Sequence, residues 1–226
     1  MHSHMLPGID DGSPDAETSL ILLKGLEDLG FKNFVCTPHI YQDLYKNDAV
    51  TIGGARTRLQ RALDETGNNA QIDAAAEYFM DDHFEALLQT KTPLLPLWSN
   101  KVLVEFSFVS APFNYKEILF EMQMNNYQPV LAHPERYTYF GNNKKIYEEI
   151  RNAGCLLQIN MLSLIGYYGK PTQELAQYLI KNKLVDLLGT DLHHVRHLEA
   201  LRSAGALNPI IDSLMQSGCL ENRNIK

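Results

Sequence analysis

At 226 residues, 45% hydrophobic and 21% charged, the chain has the length and apolar content of one large α/β domain with a sizeable core. Its 27 acidic against 20 basic side chains leave a net charge of −7, which excludes the cationic surface of a nucleic-acid-binding protein. An anionic substrate stays open, because bound metal cations reverse a local field. No apolar run has the length of a membrane-spanning helix, and the N-terminus lacks the basic and apolar regions of a signal peptide. A cytoplasmic protein is therefore expected, with its three cysteines reduced and Cys36 and Cys155 buried in apolar strands.

The first informative stretch is His2-Ser3-His4. Side chains alternate along an extended backbone, so both imidazoles share a face and suit one metal ion. The Pro7-Gly8 turn brings the carboxylates of Asp10 and Asp11 back towards them. Ser13-Pro14-Asp15 reads as a helix start with Ser13 as the cap, followed by the stripe Leu20, Leu23, Leu26 and Leu29 and closed by Gly30. Phe34 to Thr37 reads as a buried strand stopped by Pro38 and followed by His39. A helix is expected from about Ala55 to Asp64. Ala70 to Ala76 reads as a strand ending at Glu77, although its three alanines suit a helix equally.

Beyond this point the rhythm is regular. Asp82 to Gln89 reads as a helix, Lys101 to Val104 as a strand ending at Glu105, and Tyr115 to Met124 as a helix. Pro129 to Ala132 forms the next strand, ending at His133. A helix over Lys144 to Asn152 is closed by Gly154, and Leu156 to Ile159 is a strand ending at Asn160. A helix over Gln173 to Lys181 precedes the last strand, Val185 to Gly189, which ends at Asp191 and His193. Helix resumes over His197 to Arg202 and on to about Met215. Strands alternating with helical crossovers imply a parallel sheet. Counting the His-Ser-His segment, seven strands are expected, in one domain over residues 1–226. In a closed parallel barrel their C-terminal ends converge on one face.

Five histidines and four carboxylates occupy those ends: His2, His4, Asp11, His39, Glu77, Glu105, His133, Asp191 and His193. Nine donors are too many for one ion and suit two or three divalent ions with bridging carboxylates. Imidazole and carboxylate without thiolate point to manganese, iron or zinc rather than calcium. Taken singly, Glu77 and Glu105 could mark where strands meet water, and Asp191 could cap a helix. Capping does not explain their joint placement at nearly every strand end. His83, His194 and His197 have no strand-end position and read as surface or supporting residues. A cysteine phosphatase loop is absent, because Gln42, Met161 and Ile225 stand where an arginine would follow each cysteine. Gly-x-Ser-x-Gly, phosphate-loop and Gly-x-Gly-x-x-Gly motifs are absent too. Arg136, three residues past His133, is placed to reach a substrate phosphate with its planar fork of donors. Arg196, three past His193, holds a similar position. Tyr41, Tyr45, Tyr137, Tyr139, Tyr167 and Tyr168 follow strand ends and are candidates for the rim.

The segments His2-Ser3-His4 with Pro7 to Gly12, Thr37-Pro38-His39, Glu77-Tyr78, Val104-Glu105-Phe106, His133 to Tyr137 and Gly189 to His193 resemble the PHP (polymerase and histidinol phosphatase) superfamily. The branch they resemble most is the manganese-dependent protein-tyrosine phosphatases of bacterial capsule and exopolysaccharide synthesis, the CpsB/YwqE type. The resemblance implies a distorted (β/α)7 TIM-like barrel with a trinuclear centre on the nine residues above. Manganese is the ion it implies, with iron, zinc and magnesium as alternatives. It also implies that Arg136 contacts substrate phosphate, with Arg196 as candidate second arginine, and that the partner is a bacterial tyrosine autokinase with a tyrosine-rich tail. A small-molecule phosphoesterase such as a histidinol-phosphate phosphatase is the rival activity. Members of this branch carry residues ahead of the His-x-His motif. Here only Met1 precedes it, so His2 is expected to be held from one side only.

Overall fold

The computed structural model describes residues 1–141 and 143–224. Its strands are short, with apolar middles as expected for parallel strands covered on both faces and polar residues mainly at their ends. They are Phe34–Cys36 (β1), His39–Ile40 (β2), Ile72–Ala74 (β3), Glu77–Phe79 (β4), Lys101–Glu105 (β5), Gln128–Ala132 (β6), Leu156–Asn160 (β7) and Leu187–Gly189 (β8). Every pairing between them is parallel, in the order β2-β4-β5-β6-β7-β8, with β1 paired to β3.

Two of the strands expected from the sequence are each divided. Pro38 has no N–H to give to a ladder, and β1 and β2 lie on either side of it. The backbone nevertheless runs on as one stave, since Ala75 N donates to Cys36 O at 2.8 Å and Glu77 N to Pro38 O at 3.1 Å. The N-terminal segment supplies the closing stave. Thr37 N donates to Ser3 O, His4 N to Leu192 O and Asp191 N to His2 O, each at 2.8 Å. Seven parallel staves thus close a distorted barrel.

Period-two alternation then sorts the side chains. Val35, Ala75, Leu103, Val130, Ala132 and Leu187 form a small cluster in the lumen, while Val102, Val104, Leu131 and Leu188 pack in the larger core against the helices. Continuing the lumen series towards the strand ends reaches His39, Glu77, Glu105, Gln158 and Asn160. The apolar lumen therefore carries a polar upper layer.

The surrounding helices are Ala16–Asp28 (α1), Ala49–Glu65 (α2), Asp82–Gln89 (α3), Tyr115–Met124 (α4), Lys145–Asn152 (α5), Lys170–Lys181 (α6), Val195–Ser203 (α7) and Leu207–Ser217 (α8). The cap of α1 is Asp15, not Ser13: its carboxylate accepts Thr18 N at 2.8 Å, so Pro14 precedes the helix. Ser13 is instead buried, its hydroxyl donating to Asp15 O and accepting from Ser19. The helix α2 starts six residues before the expected Ala55, because a reciprocal Asp48–Thr51 capping box nucleates it ahead of Gly53-Gly54. Cys36 and Cys155 are buried free thiols, and Cys219 is exposed. Among the described residues, no helix is long and apolar enough to cross a membrane.

Candidate metal centre

The polar upper layer is built around Glu77, a fully buried carboxylate at the start of β4. Its Oε2 lies 3.2 Å from His2 Nε2, 3.3 Å from His4 Nε2 and 3.4 Å from His39 Nδ1, and its Oε1 lies 3.1 Å from His133 Nε2. Asp191 Oδ1 stands 3.3 Å from His2 Nε2, 3.6 Å from His4 Nε2 and 3.4 Å from His193 Nδ1. Glu105 Oε1 is 2.9 Å from His39 Nδ1, and the half-exposed Asp11 is 3.5 Å from His39 Nε2 and 3.6 Å from His193 Nε2. The structure thus brings together all nine residues singled out from strand ends. They form four overlapping groups, His4/Asp11/His39/His193, His2/His4/Glu77, His2/His133/Asp191 and His39/Glu77/Glu105, each with donor atoms within 4.8 Å of one another. No tenth residue enters these groups among the described residues.

The donor set fits divalent ions on two counts. Two ligands of one ion at about 2.1 Å stand roughly 3.0 Å apart at octahedral angles and about 3.4 Å at tetrahedral ones, the range of most of these contacts. Moreover, His2 Nε2, His4 Nε2, His39 Nδ1 and both oxygens of Glu77 are buried without a hydrogen-bond partner. A carboxylate sunk in protein with neither oxygen bonded is costly unless a cation takes its charge.

The opposite edges of the imidazoles are held. His4 Nδ1 donates to Asp10 Oδ2 at 2.8 Å, His2 Nδ1 to Gln158 Oε1 at 2.5 Å and His193 Nδ1 to Asp191 O at 3.0 Å. In His2 and His4 these bonds put the proton on Nδ1 and aim the Nε2 lone pair at the shared carboxylates. Gln158 Nε2 continues to Asn160 Oδ1 at 3.0 Å, and Asn160 Nδ2 to Asp191 Oδ2 at 2.7 Å, joining two candidate ligands through β7. Space for this relay depends on Gly189, where a Cβ would stand 2.5 Å from Gln158 Nε2 and 2.9 Å from His2 Cβ. Backbone strain collects here too: His2, His133 and Asp191 have φ of 59°, 33° and 48°, left-handed values unusual for side chains of this kind. The one-sided tether expected for His2 is not what holds it. Its ring is fully buried, and its carbonyl accepts from both Asp191 N and Thr190 Oγ1 at 2.8 Å.

Sequence reasoning misses Gln158 and Phe108, and it gives Asp10, Asn160 and His197 no role beyond a turned-back carboxylate, a strand end and a surface or supporting histidine. The readable trace is the alternation of polar residues in Leu-Leu-Gln-Ile-Asn, an apolar strand with one polar face. Asp10 is hidden beside Asp11, yet its side chain is fully buried, bonding His4 Nδ1 and accepting His39 N at 3.2 Å. Replacing Asp10 with asparagine is expected to weaken metal affinity by about 10–100-fold through loss of the charged partner of His4. Metal titration of the folded variant checks this; an unchanged affinity would show that His4 orients itself.

Arg136 sits in a short 3₁₀ turn after His133, with Nη1 3.2 Å from Asp191 Oδ2. It shares a cleft of about 270 Å³ with Asp11, His39, Glu105, Phe108 and Tyr168 among others. Arg196 does not line this cleft and is exposed on the first turn of α7, whereas His197, one residue on, does line it.

Before a cation binds, the carboxylates favour protons on His2, His4 and His39, whereas burial and the neighbouring His4 lower His193 to about 4. Burial by itself lowers His2, but Glu77 and Asp191 overcome it and raise the group to about 10; His4 is raised the same way by Asp10 and Glu77 against burial. Glu77 and Asp191 are lowered, their own burial outweighed first by His2. A raised histidine stabilises the fold fully below about 6.5 and loses that contribution as pH climbs towards 10. Metal ligation needs neutral imidazole, so ion binding releases protons and tightens as pH rises. The metal-induced gain in Tm is accordingly expected to be larger at pH 9 than at pH 6, with calorimetric heats that depend on buffer ionisation. Heats independent of buffer would overturn the assignment of those protons.

Three comparisons agree with this geometry. Residues 1–203 match the family model for capsular polysaccharide synthesis, CpsB/CapC. The tyrosine-protein phosphatase YwqE of Bacillus subtilis is 28% identical over 197 residues, covering 87% of this chain and 77% of that protein. The tyrosine-protein phosphatase CpsB of Streptococcus pneumoniae is 29% identical over 204 residues, covering 86% and 82%. A chain from the crystal structures of these two proteins, described as unique metal-dependent tyrosine phosphatases, superposes with a TM-score of 0.80 at 25% identity. That superposition covers 90% of this chain and 86% of the other.

Proposed function

The chain belongs to the CpsB/CapC family of capsular polysaccharide synthesis, and from that premise we propose that it is a metal-dependent protein-tyrosine phosphatase. The observation that carries the reading is the convergence of nine metal-capable residues, six of which line one cleft with Arg136 while His2, His4 and Glu77 lie buried among them. His2, His4, Asp11, His39, Glu77, Glu105, His133, Asp191 and His193 are the residues we assign to the ions, which we take to be manganese, two or three per chain. Bound there, such ions would supply positive charge for the phosphate and lower the pKa of a water molecule for attack.

The protein's own groups do the rest. Arg136 offers N–H donors to phosphate oxygens as charge develops on them. Asn160 and Arg136 together fix Asp191 Oδ2, leaving Oδ1 towards the histidines. Among the described residues the cleft lining contains no serine, threonine or cysteine, so direct attack by water fits better than a phosphoryl-enzyme formed on such a side chain. A tyrosyl oxygen leaves as a stabilised phenolate and needs little protonation. The natural substrate in this reading is a phosphotyrosine-bearing protein, and a bacterial tyrosine autokinase with a phosphorylated tail is the partner we assign.

The test is turnover of a phosphotyrosyl peptide after chelation and manganese return, set against an aliphatic phosphate monoester. Activity lost in chelator, restored by manganese and at least about tenfold in favour of the aryl ester supports the reading. Full activity in chelator, or preference for the aliphatic ester, sinks it.

A further inference from the structure

The cleft contains an arrangement that the metal ligands do not account for. The guanidinium carbon of Arg136 lies 4.5 Å from the ring centre of Phe108 and 4.4 Å from that of Tyr168. Both rings line the same cleft as the arginine. Among the described residues, the guanidinium makes one hydrogen bond, Nη1 to Asp191 Oδ2. Its remaining N–H groups have no hydrogen-bond partner among the described residues.

Phe108 is 48% exposed, which is unfavourable for so large an apolar side chain on a mouth otherwise rich in ionisable groups. The chain nevertheless invests in placing it. The buried Tyr137 accepts Phe106 N on its hydroxyl at 2.9 Å and packs 5.9 Å from the Phe108 ring, and the His133 ring stacks at 5.4 Å. Tyr168 is braced on its side by Tyr167 at 5.1 Å and by His197 at 6.1 Å.

Arg136 already touches Asp191 through Nη1, and its flexible side chain has an obvious alternative: swinging further down to pair with Asp11 and Glu105 as well. That would quench its charge and spoil the ligands. Attraction between a cation and two aromatic rings opposes the collapse and costs none of the in-plane donors. We propose that Phe108 and Tyr168 are positioning residues that grip the Arg136 guanidinium between them and present its free N–H groups to the substrate phosphate. The inference rests on the phosphatase reading for its substrate, and on the geometry alone for its ligand class, an inorganic or esterified phosphate.

The experiment compares wild type, Phe108→Leu and Phe108→Trp, each as the full chain loaded with manganese. Leucine keeps apolar bulk and loses the ring; tryptophan restores a ring. Calorimetric binding of inorganic phosphate is expected to weaken about tenfold in Phe108→Leu and to return to within about threefold in Phe108→Trp. Metal per chain stays equal in all three, and KM for a phosphotyrosyl peptide follows the phosphate affinity. In the metal-free protein, ring-current shifts of the Arg136 Nε–H resonance, identified by its loss in Arg136→Lys, are expected in wild type and reduced in Phe108→Leu. Equal losses in the two variants, a fall in metal content with the affinity, or unchanged phosphate binding in Phe108→Leu would each overturn the clamp. Wild type that binds phosphate but cleaves no phosphotyrosine refutes the activity and leaves the clamp to be judged on phosphate binding. Wild type that binds no phosphate refutes the clamp.

Discussion

Glu77→Gln is expected to reduce kcat/KM on a phosphotyrosyl peptide by at least about 10³-fold and to lower metal per chain. Glu77 has four imidazoles within 3.4 Å of its two oxygens, more than any other residue of the cluster. Glutamine keeps the shape, removes the charge, and turns an amide N–H₂ towards one set of imidazole nitrogens that should face a cation. The fold should survive the change. Glu77 holds its charge in a dry site only because protonated His2 and its neighbours compensate it, and without that charge His2 no longer has its foremost reason to stay protonated. The variant is therefore expected to keep the Tm of the metal-free wild type within a few degrees while losing most of the rise that manganese produces. Elemental analysis, thermal melts with and without manganese, and kinetics on the same preparation read all three quantities. A Glu77→Gln chain with a full metal complement and activity within about tenfold of wild type would remove Glu77 from the centre of the site.

The two readable layers of this molecule are the strand rhythm and the strand ends. Apolar runs such as Val102 to Val104 and Val130 to Ala132 are legible because parallel strands in a barrel are buried on both faces, and helix α4 has the very bounds its periodicity implies. The ligand candidates are legible because a parallel barrel delivers every strand end to one face, so position along the chain translates into proximity. Other features depend on contacts between segments far apart in sequence. Gln158 matters because His2 lies against it 156 positions away, and Phe108 matters because Arg136 reaches back over it. Two local errors have local causes. Ser13 and Asp15 are both good caps, and the choice falls to the one whose carboxylate reaches Thr18 N. Gly53-Gly54 weakens the helical signal of α2, whose capping box lies ahead of the pair. Arg196 shows the limit of spacing arguments: three residues past a ligand is near in sequence, but the start of α7 turns that side chain outwards and sends His197 to the cleft.

Arg136→Ala should separate substrate handling from metal binding, with the two effects running in opposite directions. Losing donors that meet charge developing on the phosphate is expected to cost about 10²–10³-fold in kcat/KM. Arg136→Lys should recover only a small part, because a compact ammonium offers no planar fork and gains less from the Phe108 and Tyr168 rings than a guanidinium does. The metals respond otherwise. Nη1 of Arg136 stands 3.2 Å from Asp191 Oδ2, a fixed positive charge next to a carboxylate that is to hold another cation. Removing it leaves Asp191 Oδ2 with Asn160 Nδ2 at 2.7 Å, so the carboxylate keeps its orientation, while the repulsion on an incoming ion disappears. Manganese affinity in Arg136→Ala is therefore expected to be unchanged or a few-fold tighter, in contrast to Glu77→Gln, where activity and metal fall together. Metal titration of the variant beside its steady-state kinetics decides the matter. Loss of metal in parallel with loss of turnover would mean that Arg136 is needed to build the centre, and its assignment to the phosphate would have to be given up.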